Sequence, residues 1–485
     1  MTKLSVHTSP AQCRVLVVSD RLPIHLTHER GEGWRAVPAS GALISALTPV
    51  LREHRGVWIG WPGVAEEQVP DPQVLAGAIQ EGGSTMRPVF LSERDVRGAY
   101  EGFAAGIVWP LFHEEPLECR FDPAAWQAYR RVNRKFARAA AKAMSRTGGQ
   151  SDLLWVHNHL LMNVAAELRT LGVPCRSAFF LHIPFPAPDL FLKLPWRDRL
   201  LLGLLAYDRI GFQTPHDLQN FLDCAQMLGA PVEKDGQAGA FPIGVDFHGL
   251  AERAASPETE AAAARLRELH GGRKLILGVD RLDRSKGIPE KLRAFAELLE
   301  RRPELRDRVS LVQVVVPSRE DLPRQRELSA EIARLAGEIN GRFGRPGWIP
   351  VHFLQRTLGG DELLAHYRAA DVALITPLRE GMNLVAKEYC AARTAEPGVL
   401  VLSEFAGAAG QLAAGALLVN PHDTTATART LHRALRLSEA ERGRRMRTLR
   451  DEVRRHDIFW WAESFLARAL DEGPERTLGL ERALR

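Results

Sequence analysis

The sequence predicts an α/β protein built from two doubly wound, Rossmann-like halves. Three observations carry this expectation. Short runs of β-branched and aromatic residues alternate with longer amphipathic stretches. The alternation stops in a turn-rich segment around 229–245 and then starts again. The length, 485 residues, exceeds what one ordinary core fills.

In the first half, residues 14–19, 57–61, 153–157, 176–182 and 209–214 read as buried strands. Helices are expected over 41–53, 124–144 and 160–171. In the second half, 274–279, 310–316, 350–354, 372–376, 398–403 and 416–420 read as strands. Helices are expected there over 288–301, 323–343 and 362–370, and the arginine-rich stretch 439–470 reads as a helix with a solvated face. Strands this uniformly apolar fit parallel sheets covered on both faces. Residues 229–239 are mostly turn formers, and Gly244 in the following Phe-Pro-Ile-Gly-Val is a candidate hinge. The expected domains are 1–243 and 244–458, facing a central cleft at the C-terminal edges of their sheets, where doubly wound folds bind ligands.

Composition narrows the function classes. The chain is 45% hydrophobic and 25% charged, as soluble globular proteins are. Its 64 basic and 59 acidic residues give a net charge of +5, too even for a nucleic-acid binder. Cys13, Cys119, Cys175, Cys224 and Cys390 are odd in number and scattered, which argues against a disulfide framework or a zinc site. The first nine residues are polar, and the apolar run 200–207 is far too short for a membrane span. A soluble, cytoplasmic protein with neither a nucleic-acid nor a membrane partner is expected.

The strongest motif is the stretch 376–388, Thr-Pro-Leu-Arg-Glu-Gly-Met-Asn-Leu-Val-Ala-Lys-Glu. A strand runs into a loop with a carboxylate and a glycine, and a helix starts near Asn383. Helix N-termini offer unpaired amides to phosphate oxygens, and Gly381 lets backbone approach a ligand. Glu380 and Glu388 are candidates for sugar hydroxyls. A plain asparagine cap is the bland alternative, which the glycine alone would favour and the whole string does not. Next is the stretch 280–287, Asp-Arg-Leu-Asp-Arg-Ser-Lys-Gly, directly after a strand. Arg281 and Lys286 there suit a diphosphate leaving group. His182 follows another strand and is held at its end by Pro184 and Pro186. Arg21 ends the first strand, and the small-residue turn at Gly41 opens the next helix in a weak phosphate-binding pattern. Arg319 is a second candidate anion anchor. No metal-ligand spacing occurs: His157 and His159 lack a third ligand nearby in sequence.

These strings together resemble the trehalose-6-phosphate synthase family, family 20 of the glycosyltransferases, over about residues 14–470. Matching phrases include Trp58-Ile-Gly-Trp61, Val108-Trp109-Pro-Leu-Phe112 and the run 381–389, Gly-Met-Asn-Leu-Val-Ala-Lys-Glu-Tyr. The resemblance implies a GT-B fold whose C-terminal helix, 459–485, returns to the first domain. It implies a nucleotide-sugar donor, UDP-glucose, a sugar-phosphate acceptor, glucose 6-phosphate, and retention of anomeric configuration. It implies no metal and no cofactor, and leaves oligomeric state open, a homo-oligomer included. By the same resemblance, Arg21, Tyr100, Trp109 and Arg319 surround the acceptor phosphate. Arg281 and Lys286 meet the leaving diphosphate. His182, Gly41 and Glu380, Gly381, Met382, Asn383 and Leu384 hold the donor, and Glu388 takes the ribose. Asn158-His159-Leu160 depart from the family's Asp-Tyr-His, Gly410-Gln411 from its Asn-Glu, and Arg284 from its tyrosine. Asn158 and His159 therefore motivate a rival reading with another phosphorylated acceptor. A sugar-phosphate-binding regulator without turnover is a second rival, against which Arg281, Lys286, His182 and Glu388 count.

Overall fold

The computed structural model describes residues 13–29, 33–38, 42–68, 85–144, 152–230, 232, 236–318, 323–394 and 397–471. The chain divides into two compact units, Met1–Phe241 with Trp461–Arg485, and Pro242–Trp460.

The first unit is built on β1 (Arg14–Arg21), β2 (Ile24–Glu29), β3 (Gly33–Pro38), β4 (Val57–Trp61), β5 (Thr85–Pro88), β6 (Asp152–His157), β7 (Arg176–Phe180), β8 (Arg209–Phe212) and β9 (Ala238–Ala240). Among the described residues the main sheet runs β5-β4-β1-β6-β7-β8-β9, parallel throughout. Val15, Leu16, Val17 and Val18 are all fully buried, so β1 is covered on both faces as its unbroken apolar run requires. A hairpin not expected from the sequence joins β2 and β3.

The second unit carries β10 (Lys274–Arg281), β11 (Val309–Val316), β12 (Val351–Gln355), β13 (Val372–Ile375), β14 (Val399–Ser403) and β15 (Leu417–Val419). They form a parallel sheet in the order β12-β11-β10-β13-β14-β15. In both sheets the order reverses beside the first strand, between β1 and β6 and between β10 and β13. Diverging crossovers leave a crevice at such points, at the strands' C-terminal ends. Those ends carry Arg21, Asn158, Arg281 and the loop that holds Glu380.

Two expected helices are interrupted. Over 160–171 a 3-10 turn at His159–Leu161 precedes the helix Val164–Thr170. Side chains of the helix Pro123–Met144 claim the backbone between them. Asn133 donates to the Leu160 carbonyl at 2.9 Å and accepts from the Asn163 amide at 3.0 Å, while the Tyr129 hydroxyl accepts from the Met162 amide at 3.1 Å. The tail is two helices, Glu439–Arg455 and Ile458–Leu470. Asp457 separates them, its Oδ1 accepting from the amides of Phe459 at 3.0 Å and Trp460 at 2.8 Å, an N-terminal cap.

From Trp461 onward the last helix packs on the first unit's sheet. Trp461 and Phe465 lie against Trp155 and Phe180. Arg176 donates to the Leu470 carbonyl at 2.7 Å and Arg209 to the Arg468 carbonyl at 3.0 Å, satisfying the unpaired end of the helix. Gly211 is needed for this packing, because a Cβ there would stand 2.6 Å from the Phe465 ring.

The second unit has a buried ion pair beneath the end of β10. Lys291 Nζ donates to Asp280 Oδ2 at 2.5 Å, with side-chain exposures of 0% and 1%, and Gln313 Nε2 donates to the same oxygen at 2.9 Å. Removing one partner strands a charge in the core. Lys291→Met is expected to destabilise this unit by about 3–5 kcal/mol. The double variant Lys291→Met/Asp280→Leu is expected to recover most of that loss, as checked by urea unfolding followed through the fluorescence of buried Trp348.

Candidate functional site

In the first unit, β1 ends in a register shift against β4, between the pairs Val18↔Ile59 and Arg21↔Trp61. Gly60 makes room for this, since a Cβ would lie 2.7 Å from the backbone of Arg21 and Leu22. The shift turns the exposed Arg21 over two aromatic rings, 5.0 Å from the centroid of Trp61 and 5.5 Å from that of Tyr100. The rings are themselves 5.5 Å apart. A guanidinium held by faces of rings keeps its N–H edge for an oxyanion such as a phosphate.

Beside it, β6 ends in Asn158, whose φ of 75° lies in the left-handed region that asparagine tolerates. Its amide donates to the Phe180 carbonyl at 2.9 Å and so locks the turn to β7. Its Oδ1 accepts from the His159 amide at 3.0 Å and lies 2.8 Å from His159 Nδ1. A backbone N–H can only donate, so the oxygen must face it and Nδ1 must carry a proton. Among the described residues, the side-chain NH2 of Asn158 makes no hydrogen bond. Trp109 stacks on His113 at 4.2 Å and tilts toward His159 at 5.8 Å.

His182 follows β7. Its Nε2 lies 3.2 Å from His157 Nδ1 and its Nδ1 3.4 Å from Gln213 Nε2. With the Gln213 amide donating to Nδ1, the His182 proton sits on Nε2 and is given to His157. Burial pushes His182 down to about 3. Burial and the neighbouring His182 push His157 well below the usual imidazole range. Both rings are neutral at neutral pH and act through hydrogen bonds.

In the second unit, the loop after β13 and the loop after β10 are joined by one carboxylate. Lys286 donates to Glu380 Oε1, and Asn383 Nδ2 donates to Oε2 at 2.6 Å. Burial pushes the Glu380 carboxyl up, but the charge and hydrogen bond of Lys286, the bond from Asn383 and the charge of Arg281 outweigh it and hold it below the ordinary value. Asn383 itself is left-handed, φ 80°, and its Oδ1 caps the helix Leu384–Ala392 by accepting from the Ala386 amide at 3.0 Å. The Met382 carbonyl accepts from Ala408 at 2.7 Å. Asparagine capping and a candidate anion site therefore coexist. Both oxygens of Glu380 have protein partners, so its part is to fix Lys286 against the helix terminus rather than to meet sugar hydroxyls alone.

Glu388 lies farther along that helix and accepts from the Tyr367 hydroxyl at 2.9 Å. Burial raises its carboxyl, and the Tyr367 bond only partly offsets the rise. Lys387, beside it, is buried and donates to the Ile243 carbonyl and to Gln411 Oε1, each at 2.6 Å.

The structure thus brings Arg21, Tyr100, Trp109, Asn158, His159 and His182 to one edge of the first unit. It brings Arg281, Lys286, Glu380, Gly381, Met382, Asn383, Leu384 and Glu388 to one edge of the second. Gly41 and Arg319 lie outside the described residues. His157, for which the sequence suggests a strand-end hydrogen-bonding role rather than a metal, is hydrogen-bonded to His182; Trp61 stands in a matching phrase without a role, and Gln213 and Tyr367 are not singled out by the sequence. Trp61 ends a strand at the functional edge, a usable signal; Tyr367 lies in the last turn of the helix Gly360–Ala369 and gives none. Among the described residues no cluster of three or more His, Cys, Asp or Glu fits a metal ion, and no helix is long and apolar enough to cross a membrane.

Two parallel-sheet Rossmann-like units, with cations and a capped helix at the second sheet's switch point, define a nucleotide-sugar transferase of the GT-B class. The glycosyltransferase family 20 model matches residues 13–471, and the chain belongs to that family. It is 42% identical over 478 residues to trehalose-6-phosphate synthase of Mycolicibacterium gilvum (strain PYR-GCK), covering 94% of this chain and 93% of that protein. It resembles an E. coli structure bound with UDP-2-fluoro glucose, with a TM-score of 0.84 and 36% identity over 95% of this chain and 100% of that one. It also resembles a UDP-forming α,α-trehalose-phosphate synthase from Burkholderia xenovorans in complex with glucose-6-phosphate, with a TM-score of 0.82 and 34% identity over 94% and 100%.

The histidine pair yields a pH test. The unfolded chain takes up protons at these imidazoles near pH 6.5, whereas folded His182 resists until about 3, so protons favour the unfolded state. Stability of the first unit is expected to be full above pH 6.5 and to fall as pH drops from there toward 3. Melting temperature measured against pH is expected to decline less steeply for His157→Gln/His182→Gln.

Proposed function

We propose that this chain transfers glucose from UDP-glucose to glucose 6-phosphate with retention, forming trehalose 6-phosphate, and needs no metal or other cofactor. The observation that carries the reading is the placement of Arg281 and Lys286 at the end of β10, beside the Asn383-capped helix after β13. That grouping offers fixed positive charge to a diphosphate. The UDP-2-fluoro glucose and the glucose-6-phosphate bound in the two similar structures support UDP-glucose and glucose 6-phosphate as the pair. A cytoplasmic setting is supported by the five cysteines, all free thiols.

The reaction proceeds on one face of the sugar. The bond from the anomeric carbon to the diphosphate breaks, and the leaving UDP draws its charge stabilisation from Arg281, Lys286 and the helix amides. The acceptor hydroxyl forms the new bond to the same face and passes its proton to the departing phosphate oxygen. No protein nucleophile is used. Arg21, between Trp61 and Tyr100, holds the acceptor's phosphate, and the rate comes from orientation and fixed charge.

Asn158 favours a second reading, in which another phosphorylated compound is the true acceptor. Its oxygen is taken by His159, so toward a ligand it offers only N–H donors. A hydroxyl that must donate gains nothing from it. Steady-state assays of UDP release over a panel of phosphorylated acceptors decide between the two. Glucose 6-phosphate is expected to give the highest kcat/KM, and a markedly better acceptor would overturn the first reading. Arg281→Ala is expected to lower kcat by about a hundredfold, the scale for losing one transition-state donor. Near-normal turnover of that variant would remove Arg281 from the mechanism.

A further inference from the structure

Residues Val96–Val108 form a helix closed by hydrogen bonds to the fifth preceding carbonyl, up to the Trp109 amide, which donates to the Ala104 carbonyl. Helices of this wide kind are rare and mostly a single turn long. This one carries Tyr100, and Trp109 follows its last residue.

The pitch decides where those two side chains point. With about 4.4 residues per turn, the nine positions from Tyr100 to Trp109 make two turns and about 16° more. At about 3.6 residues per turn the same nine positions would end about 180° away. The burial pattern follows the wide pitch. Of the buried residues, Ala99, Phe103, Ala104, Ile107 and Val108 cluster on one side under that rotation and Ala105 lies outside the cluster, with Phe103 packed on Trp126, Tyr129 and Trp196. Tyr100 and Trp109 are both partly exposed on the flank of that side. Only there can Tyr100 support Arg21 while Trp109 reaches His159.

Close packing holds the helix in place. A Cβ at Gly98 would stand 2.5 Å from Ala128 Cβ, and one at Gly102 would stand 3.2 Å from Ala125 Cβ, both on the helix Pro123–Met144. Neither contact leaves room for an alanine without a shift.

We propose that the wide helix is a positioning element for the acceptor site, setting Tyr100 and Trp109 on a common face, with Gly98 and Gly102 as positioning residues that seat it. The proposal rests on the function assigned above to Tyr100 and Trp109. Gly98→Ala is expected to raise KM for glucose 6-phosphate by about tenfold or more, because small displacements of binding groups are costly. KM for UDP-glucose is expected to stay within about twofold. Ala128→Gly, which vacates the space the new methyl needs, is expected to return the acceptor KM of the double variant to within about threefold of the parent. Gly102→Ala is expected to act in the same direction and less strongly, and it carries the test if Gly98→Ala does not fold. A seated variant with unchanged acceptor KM, or a loss that Ala128→Gly does not reverse, overturns the proposal. If the parent protein makes no product, the proposed reaction fails, and the helix is then judged by a crystal structure of the variant. Loss of the bond from Trp109 to Ala104 with displacement of Tyr100 from Arg21 supports the positioning role; an unchanged helix overturns it.

Discussion

Parallel strand pairing is the constraint from which the functional architecture follows. Every strand of the two main sheets runs the same way, so all their C-terminal ends fall on one edge of each unit. Right-handed crossovers then send successive helices to opposite faces on either side of the first strand, and the loops diverge at the reversal. Arg21 and Asn158 border that point in the first sheet, and Arg281 and the Glu380 loop border it in the second. Within each unit these groups come together because of sheet order, not because they are near in sequence.

Within each unit the charge is held by other protein groups rather than left to solvent. The Lys286–Glu380–Asn383 chain links two loops more than ninety residues apart in sequence and pins a cation to a capped helix terminus. Such preorganisation avoids reorganisation when charge develops on a leaving group. Arg21 is held differently, by the faces of Trp61 and Tyr100, and no carboxylate among the described residues pairs with it. The two solutions match two duties: a lysine paired with a carboxylate delivers charge with fixed geometry, and an arginine on aromatic rings delivers a planar fork of N–H groups.

The departures from the family pattern acquire local explanations. Asn158 spends its oxygen on His159, which fixes the turn after β6 and leaves a donor outward. Gln411 accepts from the buried Lys387, where a neutral amide completes the bonding of an ammonium that also holds the Ile243 carbonyl. Burial lowers that lysine to about 7, so its surroundings disfavour the charge that a carboxylate partner would favour.

Much of this was legible from sequence. The apolar runs at β1, β6, β10, β11 and β13 announce buried parallel strands because covering on both faces leaves no place for alternation. Strand-then-loop strings containing Arg21, His182, Arg281 and Glu380 mark the functional edge, since parallel sheets bind ligands only there. What the sequence could not reveal depends on partners distant along the chain. The break at 162–163 depends on Asn133 and Tyr129 taking backbone groups, and the break at 456–457 on an aspartate that had the option of a helix interior. The close seating of Val96–Val108 involves Gly98 and Ala128, thirty positions apart, where a Cβ on Gly98 would stand 2.5 Å from that of Ala128. Local propensity and periodicity determined the fold class and the edge of each sheet where ligands bind; only tertiary packing decided the orientation of Tyr100, the tautomer of His182 and the pairing of Lys286, because each is set by which side chain arrives opposite.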